Sequence, residues 1–402
     1  MLNRYLQQCR IPTTIMRGGT SKGLILRSID LPIDPKLRDQ IILRIYGSPD
    51  SSQIDGLGGG TSLTSKLGLV SPPSRPGAHI DYTFGQVSID RNMVDYQATC
   101  GNMATAVGLY ALEEGYLSPF DPVTNVQVYN TNTRKMIIVE IPVKNGQIQY
   151  DGDFKIDGVP GFSPKIMLNF LDSGGTYTGK TLPTSRPIDI IHLPDGQHFE
   201  VSIIDSVNPL VFVRAEDVGV QGIELPDEIN NNELLLNTLE AIRVKAGILS
   251  GIITNYEAVT PTSHALPKIA LVAKPQDYVN INNKKILAES IDITSRYISM
   301  GNLHRAFAVS GAIALATAAQ ISGTIPNQLA VSSIRGIRIG HPSGVIYTEA
   351  TVTKSDENWN VSRAAIGRTA RRIMDGFAYV PISLINAQKI EKPVLLDSIS
   401  SI

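Results

Sequence analysis

The sequence predicts an α+β protein built twice over, two similar domains in each of which strands close around one buried helix. Three observations lead there. Short strand-like runs bounded by Gly, Pro, Asn or Asp recur along the whole chain. Two helical segments, one in each half, are apolar nearly all round. Gly and Pro cluster near the middle, in "GKTLPTSRP" (179–187). The expected division is therefore 1–184 and 185–402, with the last strand able to return to the first domain.

In the first half the strand-like runs are "TTIMRG", "GLILRS", "HIDYTFGQVSID", "VQVYNTN", "KMIIVEIPV" and "GQIQYDGDF". The helix expected there spans 101–115, after Thr99-Cys100-Gly101-Asn102, and Met103, Ala104, Ala106, Val107, Leu109, Tyr110, Ala111 and Leu112 cover it on all sides. The second series of strands is "DIIHL", "FEVSIIDS", "LVFVRA", "KIALVA", "IRIGHPSGVIYTEA" and "FAYVPIS". Its buried helix spans 309–321, "VSGAIALATAAQI". A third helix, 230–249, carries a Glu/Asn/Arg face and belongs at the surface.

Composition narrows the function classes. A chain of 402 residues favours two domains. With 36 basic against 37 acidic residues and no block of like charge, nothing points to nucleic acid or a membrane surface as partner. Two cysteines form no disulfide framework and fit a reducing cytoplasm. The N-terminal segment lacks the apolar core of a signal peptide. The run "GAIALATAA" (311–319) is far short of the roughly 20 residues a membrane helix needs.

The chemistry concentrates in two stretches, "DGLGGGTSLTSK" (55–66) and "TCGNMATAVGLYAL" (99–112). A cysteine at a helix N-terminus meets the positive end of the dipole, which favours the thiolate. The first N–H groups of that helix, from Gly101, Asn102 and Met103, have no partner within it and suit a carboxylate or enolate oxygen. Cys100 could otherwise be a small buried hydrophobe; Cys9, with no glycine or cap beside it, reads as incidental. Lys66 follows three glycines (58–60) and the hydroxyls of Thr61, Ser62, Thr64 and Ser65. An apolar strand starts at Lys66, so this lysine stands where loop becomes core, placed to serve as a base. A third unit, "MRGGTSKG" (16–23), is either a plain hairpin turn or a carboxylate clamp using Arg17 and Ser21.

In the second half "GNLHRAFAVSGA" (301–312) brings His304 and Arg305 before the buried helix and puts Ser310-Gly311 where Cys100-Gly101 stands in the first. "IGHPSGV" (339–345) is a further turn with His341 and Ser343. Neither a P-loop nor a Ser-x-x-Lys signature is present, because Leu63 precedes Lys66 by three and Gly19 precedes Lys22 by three. Six scattered histidines and no dinucleotide fingerprint give no ground for a metal or a nucleotide cofactor. One thiol, one lysine, anion-holding amides and an arginine suit proton transfer next to a carboxylate.

The segments "MRGGTSKG", "GSPDSSQIDGLGGGTSLTSK", "FGQVSIDRNMVDYQATCGNM", "HRAFAVSGA", "IRIGHPSG" and "GRTARRIMDG" together resemble the PrpF family, from near residue 12 to near 381. That resemblance implies the diaminopimelate epimerase fold: two domains, each a barrel-like, mostly antiparallel sheet around a central helix, with the active site in the cleft between them. It implies no cofactor, and an allylic isomerase of a small unsaturated di- or tricarboxylate, first of all 2-methylaconitate in the methylcitrate route of propionate catabolism. The family's other substrates are 3-methylitaconate and 4-oxalomesaconate. By motif its catalytic lysine and cysteine fall on Lys66 and Cys100. Epimerases of this fold use two thiols, whereas here the second helix mouth reads "AVSG". A two-base epimerase and a non-catalytic carboxylate binder are the competing classes. A homodimer is the oligomer that enzymes of this size suggest.

Overall fold

The computed structural model describes residues 7–96, 99–253, 266–299, 301–331, 336–355 and 358–386. In chain order the longer elements are β1 (Gln8–Gly18), β2 (Ser21–Arg27), α1 (Pro35–Tyr46), β3 (Lys66–Ser71), β4 (Ile80–Val87), α2 (Gly101–Glu113), β5 (Val123–Asn130), β6 (Lys135–Lys144) and β7 (Ile166–Phe170). There follow β8 (Asp189–His192), β9 (His198–Ser206), β10 (Asn208–Arg214), α3 (Glu233–Leu249), β11 (Lys268–Ala273), β12 (Ile293–Ser299), α4 (Val309–Gln320), β13 (Gly336–His341), β14 (Gly344–Ser355), β15 (Asn358–Arg368) and β16 (Ala370–Pro381). No described helix is long and apolar enough to cross a membrane.

The chain forms two compact units, and they do not divide at 184/185. One comprises Met1–Tyr116, Val128–Arg134 and Ala370–Ile402, the other Leu117–Gln127 and Lys135–Thr369. The expected boundary is wrong because β6 and β7 pair with each other and β7 with β15, which ties 135–170 to the second unit. The last strand, β16, pairs with β1 in the first.

In the first unit the pairings run β16–β1–β2–β3–β4–β5. The β2–β3 and β4–β5 pairs are parallel and the others antiparallel. Helix α2 touches β1, β2, β3, β4 and β16. Five strands about 4.8 Å apart reach one helix about 10 Å wide only if the sheet curves around it. That is why Met103 through Leu112 are all buried and the helix has no polar face. The outer face of the sheet is covered by α1: Leu24, Leu26, Leu67 and Leu69 share a core with Leu37, Ile41, Ile42 and Tyr46. The sequence reading passed over α1, although Asp34 caps it through the Lys36 N–H and Pro35 opens it.

In the second unit the pairings run β8–β9–β10–β11–β12–β13–β14–β15–β7–β6. Helix α4 packs against β9, β10, β13, β14 and β15, with Gly311 through Ala319 buried. Helix α3 lies on the outside and buries Leu235, Leu239, Ile242 and Ala246 against Val201, Ile203, Val211 and Ile269. Strands β7, β12 and β15 were absent from the sequence reading. In β12 the buried residues Thr294, Ser295 and Arg296 break the apolar run that marks a strand.

Candidate functional site

Side chains alternate between the two faces of a strand. Leu24 and Leu26 of β2, and Leu67 and Leu69 of β3, belong to the core beneath α1. Ser21 and Gly23, and with them Lys66 and Gly68, therefore face α2, and a Cβ on Gly68 would lie 3.3 Å from Val107 of α2. On β4 the same face carries Tyr82, Phe84 and Gln86. Register brings Gly23, Lys66 and Gln86 into one row across β2, β3 and β4. Lys66, half-buried as the first residue of β3, donates from Nζ to Gln86 Oε1 at 2.9 Å, with the ammonium 5.2 Å from the centre of the Phe84 ring. The expected loop-to-strand junction thus lies at Lys66.

Cys100 is the N-cap of α2, with extended backbone (φ −137°, ψ 105°), and its thiol makes no capping hydrogen bond. Its carbonyl accepts the Ala104 N–H at 3.0 Å and the Tyr82 hydroxyl at 3.2 Å. Burial, and then the neighbouring Cys100, push the Tyr82 phenol well above its ordinary range, so it remains a neutral donor. Tyr82 thereby joins the strand face bearing Lys66 to the helix start bearing Cys100. Gly101, Asn102 and Met103 form the first turn, whose N–H groups have no partner within the helix.

"MRGGTSKG" is a hairpin: Gly18 pairs with Ser21 across Gly19-Thr20, and Gly19 has φ +51°. It also packs tightly on the site. A Cβ on Gly18 would lie 1.9 Å from the Asn102 carbonyl oxygen, and one on Gly23 would lie 2.0 Å from the Lys66 carbonyl oxygen. Asn102 Nδ2 donates to Thr20 Oγ1 at 3.1 Å and to Ser21 Oγ at 3.2 Å. This amide and buried Ser21 tie the hairpin to α2, where the sequence reading had both as ligand contacts.

Arg17 is a correction. Gly18 faces α2, so its neighbour Arg17 points to the opposite face of the sheet from Lys66. There its register partners are Lys22 and Arg371, and its Nη1 donates to the Gly19 carbonyl at 3.1 Å. Burial and the like charge of Arg371 lower its pKa. A clamp working beside Lys66 is not where Arg17 stands.

The glycine-rich loop is organised by its own side chains. Buried Gln53 accepts from the Gly60 N–H at 2.9 Å and from Ser65 Oγ at 2.5 Å, and a Cβ on Gly58 would strike its side chain at 2.2 Å. Thr61 and Thr64 share a hydroxyl hydrogen bond of 2.8 Å. Ser62 gives its carbonyl to Gln86 Nε2 at 3.3 Å. Gln53, Tyr82 and Gln86 were missed by the sequence reading; strand register brings Tyr82 and Gln86 to the site, and Gln53 reaches the segment before Lys66 from the loop after α1.

The remaining assigned residues belong to the second unit. Helix α4 has Ala308 as its N-cap, so Ser310 and Gly311 are its second and third residues and do not stand where Cys100-Gly101 does. Ser310 Oγ accepts from Asn208 Nδ2 at 2.9 Å. A Cβ on Gly311 would lie 2.6 Å from the Tyr297 ring, which explains the glycine by packing. His304 meets Tyr297 edge-on at 6.0 Å and accepts the Ala306 N–H at 3.0 Å, and burial holds its imidazole below the usual range. The Arg305 carbonyl accepts from the Ser343 hydroxyl. His341 is buried beside Phe307, its Nδ1 accepting the Ser343 N–H at 3.2 Å, and burial together with Arg296 lowers its pKa to about 3. Among the described residues no group of three His, Cys, Asp or Glu could hold a metal.

A 3-methylitaconate isomerase from Eubacterium barkeri is 44% identical over 376 residues, 93% of this chain and 98% of that protein. A 2-methyl-aconitate isomerase from Shewanella oneidensis is 37% identical over 388 residues, covering 93% and 98%. The crystal structure of a methylitaconate-delta-isomerase superposes with a TM-score of 0.87 at 43% identity, covering 94% of this chain and 97% of that one. The family described as PrpF protein matches residues 8–381. The chain belongs to the PrpF family.

Proposed function

We propose that this chain is an isomerase that moves a double bond in a small unsaturated di- or tricarboxylate by a 1,3-proton shift. The observation that carries the reading is that Lys66 and Cys100 are placed on the α2 side of one curved sheet, joined through Tyr82. In this mechanism Lys66 takes a proton from the carbon next to a carboxylate. The N–H groups of Gly101, Asn102 and Met103 stabilise the dienolate at the positive end of α2. Cys100 returns a proton at the far allylic carbon. Where the proton returns instead to the carbon it left, rotation about the temporary single bond gives a cis–trans change. The shift is redox-neutral, so it calls for no hydride carrier.

The first substrate proposed is 2-methylaconitate, the name carried by the Shewanella relative. A second reading, 3-methylitaconate, is favoured by the higher identity to the Eubacterium barkeri isomerase. Incubation with 2-methylaconitate, 3-methylitaconate and 4-oxalomesaconate in D₂O tests both. Allylic relocation with one deuterium incorporated supports the mechanism. Label at a stereocentre without relocation makes the protein an epimerase, and binding without exchange makes it a carboxylate-binding protein.

A further inference from the structure

Gln86 stands directly across from Lys66 in the β3–β4 register. Its Nε2 donates to the carbonyls of Ser65 at 3.0 Å and Ser62 at 3.3 Å, both in the segment leading into Lys66. Carbonyls only accept, so those two contacts fix which end of the amide carries oxygen. Oε1 is left aimed at Lys66 Nζ, 2.9 Å away. We propose that Gln86 is a positioning residue for Lys66: its neutral amide holds the amine in place on the α2 face without fixing its charge. The proposal rests on Lys66 being the base. An ammonium and a neutral amine both carry N–H donors, so the contact survives proton transfer. A carboxylate at position 86 would pair with the ammonium and disfavour the basic form.

Other titratable groups also lie near Lys66. Tyr46 of α1 donates its hydroxyl to the Lys66 carbonyl at 2.6 Å, and burial keeps both it and Tyr82 above the ordinary phenol range. Asp95 lies beyond Gln86 in the register, and Cys100 lies on α2. Both remain in place when residue 86 is changed.

The test is the pH profile of kcat/KM for whichever of the three acids is turned over. Gln86→Glu is expected to move the acid limb upward by about one pH unit or more, with activity recovering at high pH. Gln86→Met, of matching length, is expected to lower kcat at every pH without moving the limb. An unmoved limb in Gln86→Glu, with Lys66→Ala inactive, overturns the positioning role. An active Lys66→Ala overturns instead the assignment of Lys66 as base. Should Gln86→Glu fail to fold, acetylation of Lys66 by acetic anhydride, followed by peptide mass spectrometry across pH, decides from Gln86→Met. Faster acetylation than in the wild type at every pH supports the role, and a wild-type rate overturns it.

Discussion

Gly23 and Lys66 meet across the β2–β3 pair at a separation that admits no side chain on residue 23. A Cβ there would lie 2.0 Å from the Lys66 carbonyl oxygen and 2.9 Å from the Met103 methyl. The first neighbour is backbone and cannot rotate away. Gly23→Ala is expected to cost about 1–3 kcal/mol and to displace the lysine, lowering turnover at the same time. Thermal unfolding and steady-state assay of one preparation check this; wild-type values in both would show that the contact relaxes freely.

Lys66→Ala and Cys100→Ser are each expected to reduce isomerisation by about 10²- to 10⁴-fold, the usual range for loss of a proton-transfer group. The double variant should be little worse than the poorer single one, because the two groups serve one proton shift. Deuterium exchange into recovered substrate reports which half-reaction each variant has lost.

Asn102→Ala removes both tethers from α2 to the hairpin. Two neutral hydrogen bonds at about 1 kcal/mol each predict a loss near 2 kcal/mol, reduced by the exposure of Thr20. Asn102→Asp should recover part of the loss, since both hydroxyls can turn to donate to a carboxylate, which the first turn of α2 also favours. Denaturant midpoints for the two variants measure the effect.

Buried His341 gives a pH dependence of stability with a definite sign. Its pKa is lowered to about 3 from an ordinary 6.5. The unfolded chain therefore binds a proton that the folded chain refuses between those values. His341 favours folding fully above about pH 6.5, and its contribution is lost progressively as pH falls toward 3, at no more than about 1.4 kcal/mol per pH unit. His341→Asn should flatten that part of the stability–pH curve, read from urea midpoints between pH 4 and 7.

The settings of Lys66 and Cys100, at the start of a strand and of a helix, were legible in the sequence because their signals are local. A lysine at the junction of a glycine loop and an apolar run, and Cys-Gly-Asn opening an all-apolar helix, need no knowledge of distant residues. The face on which Arg17 lies was not legible. It depends on pairing with β2 and β16 and on the register shift between Ile15 and Met16. Gln86 was hidden for the same reason, since its relation to Lys66 is cross-strand. Ser310 was misplaced by two residues because an extended Ala308, φ −67° and ψ 141°, carries no sequence mark as a cap. The domain boundary failed because glycine and proline punctuate loops inside a domain as readily as between domains.

Strand β1 has its partner β16 at the other end of the chain, with residues 19–369 between Gly18 and Ala370. On a ribosome adding about 5–20 residues per second, those 351 residues take roughly 20–70 s. For that interval the sheet bearing Lys66 has an open edge at β1, exposed to pairing with other chains. Synthesis order thus makes the lysine-bearing unit close only after Ala370 is made, and a chain cut short before Ala370 has no strand to complete it.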